Sequence, residues 1–191
     1  TGFAVHDLDW IRRNVPDGLA VEIADVTSQS AVLSLMGPNA RSILAAASGA
    51  DLSSAAAPFG SVRRIYIAGA PVLALRVTYV GELGYELHIP TEFALTVYET
   101  LLEAGKAHGL VNAGYRAIES LRLEKVYRAW GRDITPNDTP FEAGLGWAVK
   151  LKSGVPFMGR DALLALQGQP LRKHLATFTT DREDVVLLGR E

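Results

Sequence analysis

Apolar residues recur at helical spacing in residues 4–14, where Val5, Leu8 and Ile11 share one face and Asn14, Pro16, Asp17 and Gly18 supply the stop. Two runs that read as strands follow, "LAVEIADVT" (19–27) and "SAVLSLMG" (30–37), parted by the polar "SQS". "GPNARSILAAAS" predicts a helix with Pro38 at its first position and Gly49 just past its end. "DLSSAAAPFGS" is small, polar and proline-bearing, and reads as a loop. Residues 62–80 hold two strands across an Ala-Gly-Ala-Pro turn. In the second, strict alternation puts Leu73, Leu75, Val77 and Tyr79 on one side and Ala74, Arg76 and Thr78 on the other.

"RVTYVGELGYELHIP" (76–90) then predicts a hairpin turning at Gly81–Gly84. A helix is expected over 92–108, with Thr91 as cap and Ala94, Val97, Tyr98, Leu101 and Leu102 as its apolar face. "NAGYRAIESLRLEKVYRAWG" predicts another, with Asn112 as cap and Ala117, Ile118, Leu121 and the Lys125 stem on a shared face. Past Gly131 the chain is rich in turn residues. "LGWAVKL" reads as a short strand, "GRDALLALQ" as a short helix and "KHLATFTT" as a further strand. Neighbouring strands with packed helices argue α+β, with mixed or antiparallel sheets. A boundary is expected at residues 168–170, giving a main region of 1–168 and the start of another at 169–191, with the chain cut at both ends.

Composition narrows the function classes. With 191 residues, 48% hydrophobic, the chain has enough apolar material for a core. A net charge of −2 advertises no broad basic surface, so no nucleic-acid partner is expected. No apolar run approaches the roughly 18 residues of a membrane span. The absence of cysteine excludes disulfides, thiolate metal sites and thiol nucleophiles, and fits a reducing compartment. His6, His88, His108 and His174 have no metal-ligand spacing, so no metal site is expected.

Candidate chemistry gathers around the hairpin. Arg76, Tyr79, Glu82 and Glu86 are unusual company for a plain turn. Gly81 and Gly84 permit positive φ and close approach, and water-facing charges would explain the rest. Glu86 is harder to explain, because it stands between two good strand residues, Tyr85 and Leu87. A carboxylate turned to the buried side needs donors, and a ligand with paired N–H groups would supply them. Arg116 either pairs with Glu119 along its helix or is reserved for an anionic ligand group. Trp147 is either a core residue or a flat face for stacking an aromatic ligand.

Three motifs in order, "YVGELGYELHIP", "RAIESLRLEK" and "TPFEAGLGWAVKL…FMGRDALL", resemble the aminomethyltransferase (T-protein) family of the glycine cleavage system, and "DVTSQSAVLSLMGPNARSIL" resembles its upstream segment. "RLEKVYRAWGRDITPNDTPFEAGLGWAVK" and "LLGRE" are most similar to the folate-binding half of sarcosine and dimethylglycine dehydrogenases. The resemblance implies a tetrahydrofolate-binding piece of a longer enzyme. There an N-terminal flavin (FAD) domain, absent here, oxidises an N-methyl amine, and tetrahydrofolate captures the one-carbon unit as methylene-tetrahydrofolate. A stand-alone aminomethyltransferase and a non-catalytic regulatory relative are the alternatives.

Carried over residue by residue, the resemblance makes Glu86 the acceptor for the pterin's N–H groups and Tyr79 a residue lining the same pocket. It gives Arg116 a part in binding the folate's acidic tail, sets Trp147 beside the cofactor, and leaves Glu82 structural. The chain departs from the family at Val80, where a threonine is usual, and at Ala117, where an aspartate is usual. The family's catalytic aspartate lies upstream of "HDLDWI", so no catalytic residue is assigned and the chain alone is expected to be inactive. Uncovered apolar ends predict self-association. The expected location is the cytoplasm, or the mitochondrial matrix in a eukaryote.

Overall fold

The computed structural model describes residues 2–182; residues 183–191, with "LLGRE", lie outside it. The chain divides into two compact units, residues 1–118 and 119–191. The architecture is α+β, as expected, and its sheet is wholly antiparallel.

The first unit opens with helix α1 (Ala4–Arg13) and is built on four strands: β1 (Ser30–Met36), β2 (Val62–Ile67), β3 (Ala70–Leu75) and β4 (Gly84–Pro90). Their order is β1-β4-β3-β2. β4 is central because it has apolar side chains to bury and a partner along each edge: Leu87 faces Leu33 of β1 and Ala74 of β3. Tyr85, Leu87 and Ile89 are at most 1% exposed, and each such burial contributes roughly 1.5–3 kcal/mol. They join Val72 and Ala74 of β3, Ile65 and Ile67 of β2, and Leu35 of β1 in a single core. Helices α2 (Ala40–Ser48) and α3 (Ala94–Gly105) cover that face, through Ile43 and Leu44 of the first and Val97 and Leu101 of the second. Between β2 and β3, Ala68 and Gly69 both take positive φ (48° and 82°), as a two-residue hairpin with native twist requires.

Several expectations are corrected. Residues 19–27 form no strand, because Thr27 donates its backbone N–H (2.9 Å) and its hydroxyl (2.6 Å) to Asp25 Oδ1 and turns the chain. Pro38 precedes α2, whose N-cap position is Asn39; Gly49 ends it in the left-handed conformation, as expected. β3 stops at Leu75, so residues 76–83 form a loop and not the first arm of a hairpin. The alternation in β3 holds, with the small residues Val72 and Ala74 turned to the core and Leu73 left 41% exposed on the other face. Thr91 does not cap: its hydroxyl donates to Ser28 O at 2.9 Å, and a 3-10 turn (Thr91–Phe93) leads into α3.

In the second unit, helix α4 (Tyr115–Glu124), which begins in the first unit, is shorter than its pattern suggests. Asn112 donates to the Tyr98 hydroxyl at 2.7 Å and is no cap. The helix is closed by paired bonds, Tyr127 N to Arg122 O (2.9 Å) and Val126 N to Leu123 O (2.9 Å), with Val126 at φ 62°. This closure places a β-branched residue where glycine is the usual occupant. Residues 145–151 are a 3-10 turn (Gly146–Ala148) and not a strand; helix α5 (Arg160–Leu166) forms as expected. The expected strand at 173–180 is absent, and that stretch is tied instead through Leu175 N to Glu142 O at 3.0 Å.

Two substitutions test this packing. A Cβ at Gly84 would stand 2.8 Å from Val77 O and 3.0 Å from Met36 Cγ, and a backbone oxygen cannot swing away. Gly84→Ala is expected to destabilise by about 1–3 kcal/mol, read as a lower urea midpoint at unchanged slope. Val126→Gly relieves the left-handed strain and is expected to stabilise by about 0.5–1.5 kcal/mol after the added unfolded-state entropy of glycine, read as a higher urea midpoint.

Candidate functional site

The alternation that buries Tyr85, Leu87 and Ile89 turns Glu86 and His88 onto the sheet's opposite face. Glu86 is half-buried there, flanked by Ser34 across β1 and Leu75 across β3. Its carboxylate is therefore not on the core side, yet it makes no hydrogen bond or ion pair among the described residues. The next row on this face is Val32, His88, Leu73 and Arg64. His88 Nε2 is shut off from solvent without a partner among the described residues. A cavity of about 220 Å³ opens beside it, lined also by Ser30, Arg64 and Leu73.

Tyr79 sits half-buried on the 76–83 loop that leads into this strand. The loop is pinned at both ends. Arg76 N donates to Ser61 O (2.9 Å), Gly60 N to Arg76 O (2.8 Å) and Gly37 N to Leu83 O (2.8 Å). The Arg76 guanidinium crosses the mouth of the loop, donating from Nη1 to Gly84 O at 3.2 Å, with its carbon 5.3 Å from the centre of the Tyr85 ring. Gly81 takes φ 78°, which lets the loop turn within so short a span. Glu82 is exposed.

Arg116 is exposed at the start of α4 and makes no ion pair among the described residues. Its expected local partner is already engaged: Glu119 pairs with Arg122 and with Arg132 (2.7 Å). The Arg122 hydrogen bond holds the Glu119 carboxyl below its ordinary range, against the opposing effect of burial and with help from Arg132. Arg122, only 3% exposed, also pairs with Asp133 and donates to Tyr127 O at 3.0 Å, so one guanidinium ties α4 to the turn after it. The helical spacing of Glu119 and Arg122 was the available signal for this pair; its partner Asp133 had none.

Trp147 belongs to the second unit and is 79% exposed on its 3-10 turn, so it is not a core residue. Nearby, Trp130, Ile134, Asp138 and Ala143 help line a cavity of about 240 Å³. Asp138 accepts from Lys173 Nζ (2.6 Å), Thr135 N (2.7 Å) and Thr135 Oγ1 (2.9 Å). Lys173 foremost, then the Thr135 donors, hold its carboxyl down to about 2. Among the described residues there is no group of acids and histidines able to hold a metal ion, and no helix is long and apolar enough to cross a membrane.

The α+β fold built on this antiparallel sheet has a counterpart among known proteins. Residues 1–153 match the family described as GCVT N-terminal domain, and the chain belongs to that family. It is 46% identical to mouse mitochondrial sarcosine dehydrogenase and 36% identical to human mitochondrial dimethylglycine dehydrogenase, over its whole length in both cases. It spans only 21% and 22% of those two relatives. The crystal structure of glycine cleavage system aminomethyltransferase T from Bartonella henselae superposes with a TM-score of 0.66 at 30% identity, over 86% of this chain and 43% of that one.

The Asp138 contacts predict an acid response. A carboxyl held below its ordinary 3.8 in the folded state adds stability above that pH, and the contribution is lost as the pH falls toward about 2. Trp130 lines the same cavity, so its fluorescence reports the transition. Asp138→Asn is expected to reduce the slope of stability against pH between about 4 and 2, by up to one proton.

Proposed function

We propose that the chain is the tetrahydrofolate-binding region of a flavin-dependent sarcosine or dimethylglycine dehydrogenase, with residues 1–168 as the folate-binding part. Flavin chemistry is assigned to another part of the polypeptide, and the mitochondrial relatives favour a matrix location for a eukaryotic protein. The observation that carries the reading is Glu86: a half-buried carboxylate, without a donor among the described residues, on the open face of the sheet. A carboxylate in that state favours a ligand that brings its own N–H groups, since an unpaired charge away from water is costly. The amino and ring N–H groups of a pterin form such a pair, and two oxygens accept them side by side.

Tetrahydrofolate, when bound, supplies the amine nitrogens that take up a one-carbon unit. The chain's own residues orient it. Within the first unit, Glu86 fixes the pterin edge, Tyr79 on the pinned loop closes one side, and the uncommitted Arg116 meets an anionic end; for Trp147, in the second unit, the family resemblance is the support for a part in folate binding. Family membership, and the likeness of this chain to 21% and 22% of the length of a sarcosine and a dimethylglycine dehydrogenase, support this assignment.

Glu86→Gln keeps the shape but turns a donor toward the pterin's donors. Folate affinity measured by calorimetry is expected to fall by about 2–5 kcal/mol, or roughly 30-fold and upward. The exposed Glu82, changed to Gln, should leave affinity near wild type. Unchanged affinity in Glu86→Gln removes the pterin role, and an equal loss in both variants assigns the effect to the loop's fold.

A further inference from the structure

We propose that the cavity of about 220 Å³ on the open face of the first unit's sheet binds a small aliphatic carboxylate, with Arg64 and His88 as its anion contacts and Ser30 as a further hydroxyl donor. None of the residues lining it is assigned to folate, so its occupancy and folate binding stand or fall separately.

Arg64 of β2 stands opposite Leu73 of β3, and Leu73 stands opposite His88 of β4. The two nitrogen-bearing side chains are thus two strands apart, roughly 10 Å, a gap that a long arginine side chain and one bridging carboxylate close. The alternation that sends Ile65 and Ile67 into the core turns Arg64 to the open face. Arg63, its neighbour in the strand, is committed, donating from Nη1 to Ala56 O at 2.6 Å. Arg64 makes no hydrogen bond or ion pair among the described residues. His88 is in the same condition, and its surroundings say why. Its cross-strand neighbours, Val32 and Leu73, are both apolar, and Nε2 is shut off without a partner among the described residues. A ring nitrogen left so is costly. As a donor it is completed by a carboxylate oxygen, and a turn of the ring about its Cβ–Cγ bond carries it to the ligand.

Charge sets the sign of the ligand, and the wall sets its class. Among the described residues no acid lines the cavity, so nothing there competes with an anion for Arg64. Leu73, 41% exposed, and Pro71 and Pro90 make much of the wall apolar, and the prolines bring no backbone N–H. Ser30, paired with Pro90 at the start of β1, adds one hydroxyl. An inorganic oxyanion would leave the apolar wall unused, and a neutral aliphatic molecule would leave the guanidinium unused. A short aliphatic carboxylate uses both.

The test is NMR of the imidazole groups of this chain as sodium propionate is titrated in at constant pH, with propionamide as the uncharged probe and inorganic phosphate as the probe without an aliphatic part. The chain has four histidines, so the His88 signal is the one lost in His88→Phe. A saturable shift of that signal, with His6, His108 and His174 unmoved, is expected from propionate and not from propionamide, and phosphate should bind more weakly. Arg64→Ala should weaken propionate about 5- to 20-fold, as a charge-assisted contact is lost. Arg64 is exposed at the edge of the sheet, so an unchanged urea midpoint should accompany the loss and separate it from a folding defect. Arg63→Ala, on the committed neighbour, should leave the affinity unchanged. A His88 signal that propionate does not move, an equal response to propionamide, undiminished affinity in Arg64→Ala, or phosphate bound as tightly as propionate would overturn the assignment.

Discussion

One strand governs the first unit. β4 must bury Tyr85, Leu87 and Ile89 between two neighbours and under two helices, and a strand's period of two then leaves no choice about Glu86 and His88. Slipping the register by one residue would drive a carboxylate into a core of leucine, isoleucine and valine, at a cost far above anything the sheet could return. The strength of the apolar face is therefore what holds the polar face in place. The position of Glu86 is a consequence of burial on the other side, and no dedicated contact of its own is needed.

The loop before β4 depends on the same strand. Its far end is Gly84, where no Cβ fits, and Arg76 bridges from its near end to the carbonyl of that glycine while lying over the ring of Tyr85. Tyr79 is thus carried by a loop whose two ends are fastened to core residues. Arg122 does comparable work in the second unit. It bonds Glu119 within its helix and Asp133 beyond it, and receives Tyr127 N on its own carbonyl. A buried arginine with two carboxylates holds a turn that Val126 would otherwise strain open.

What was legible in the residues is what short-range periodicity encodes. β1, β2, β4 and the helices around residues 4–13, 40–48, 94–105 and 160–166 follow from spacing, glycine stops and alternation. The misreadings share a cause. "LAVEIADVT" and "KHLATFTT" have strand composition, but a strand exists only where another edge accepts its hydrogen bonds, and composition does not show the edge. Val77 and Tyr79 continue the alternation of β3 on paper, while the chain leaves the sheet at Arg76 to bond Ser61 and Gly60. At the site, residue chemistry singled out Glu86 without showing its face. Arg116 kept two readings until Glu119 proved to be taken by other arginines.

On the proposed reading, the carboxylate of Glu86, left without a donor among the described residues, is completed by the N–H edge of a pterin. Carbon-13 NMR of the glutamate side-chain carboxyls, followed as a reduced folate is titrated into this chain, observes that carboxylate directly, with Glu86→Gln and Glu82→Gln used to assign the two resonances. A saturable change in the Glu86 resonance, with Glu82 unmoved, is the predicted result. A Glu86 resonance that stays fixed while the folate saturates its site would contradict the account.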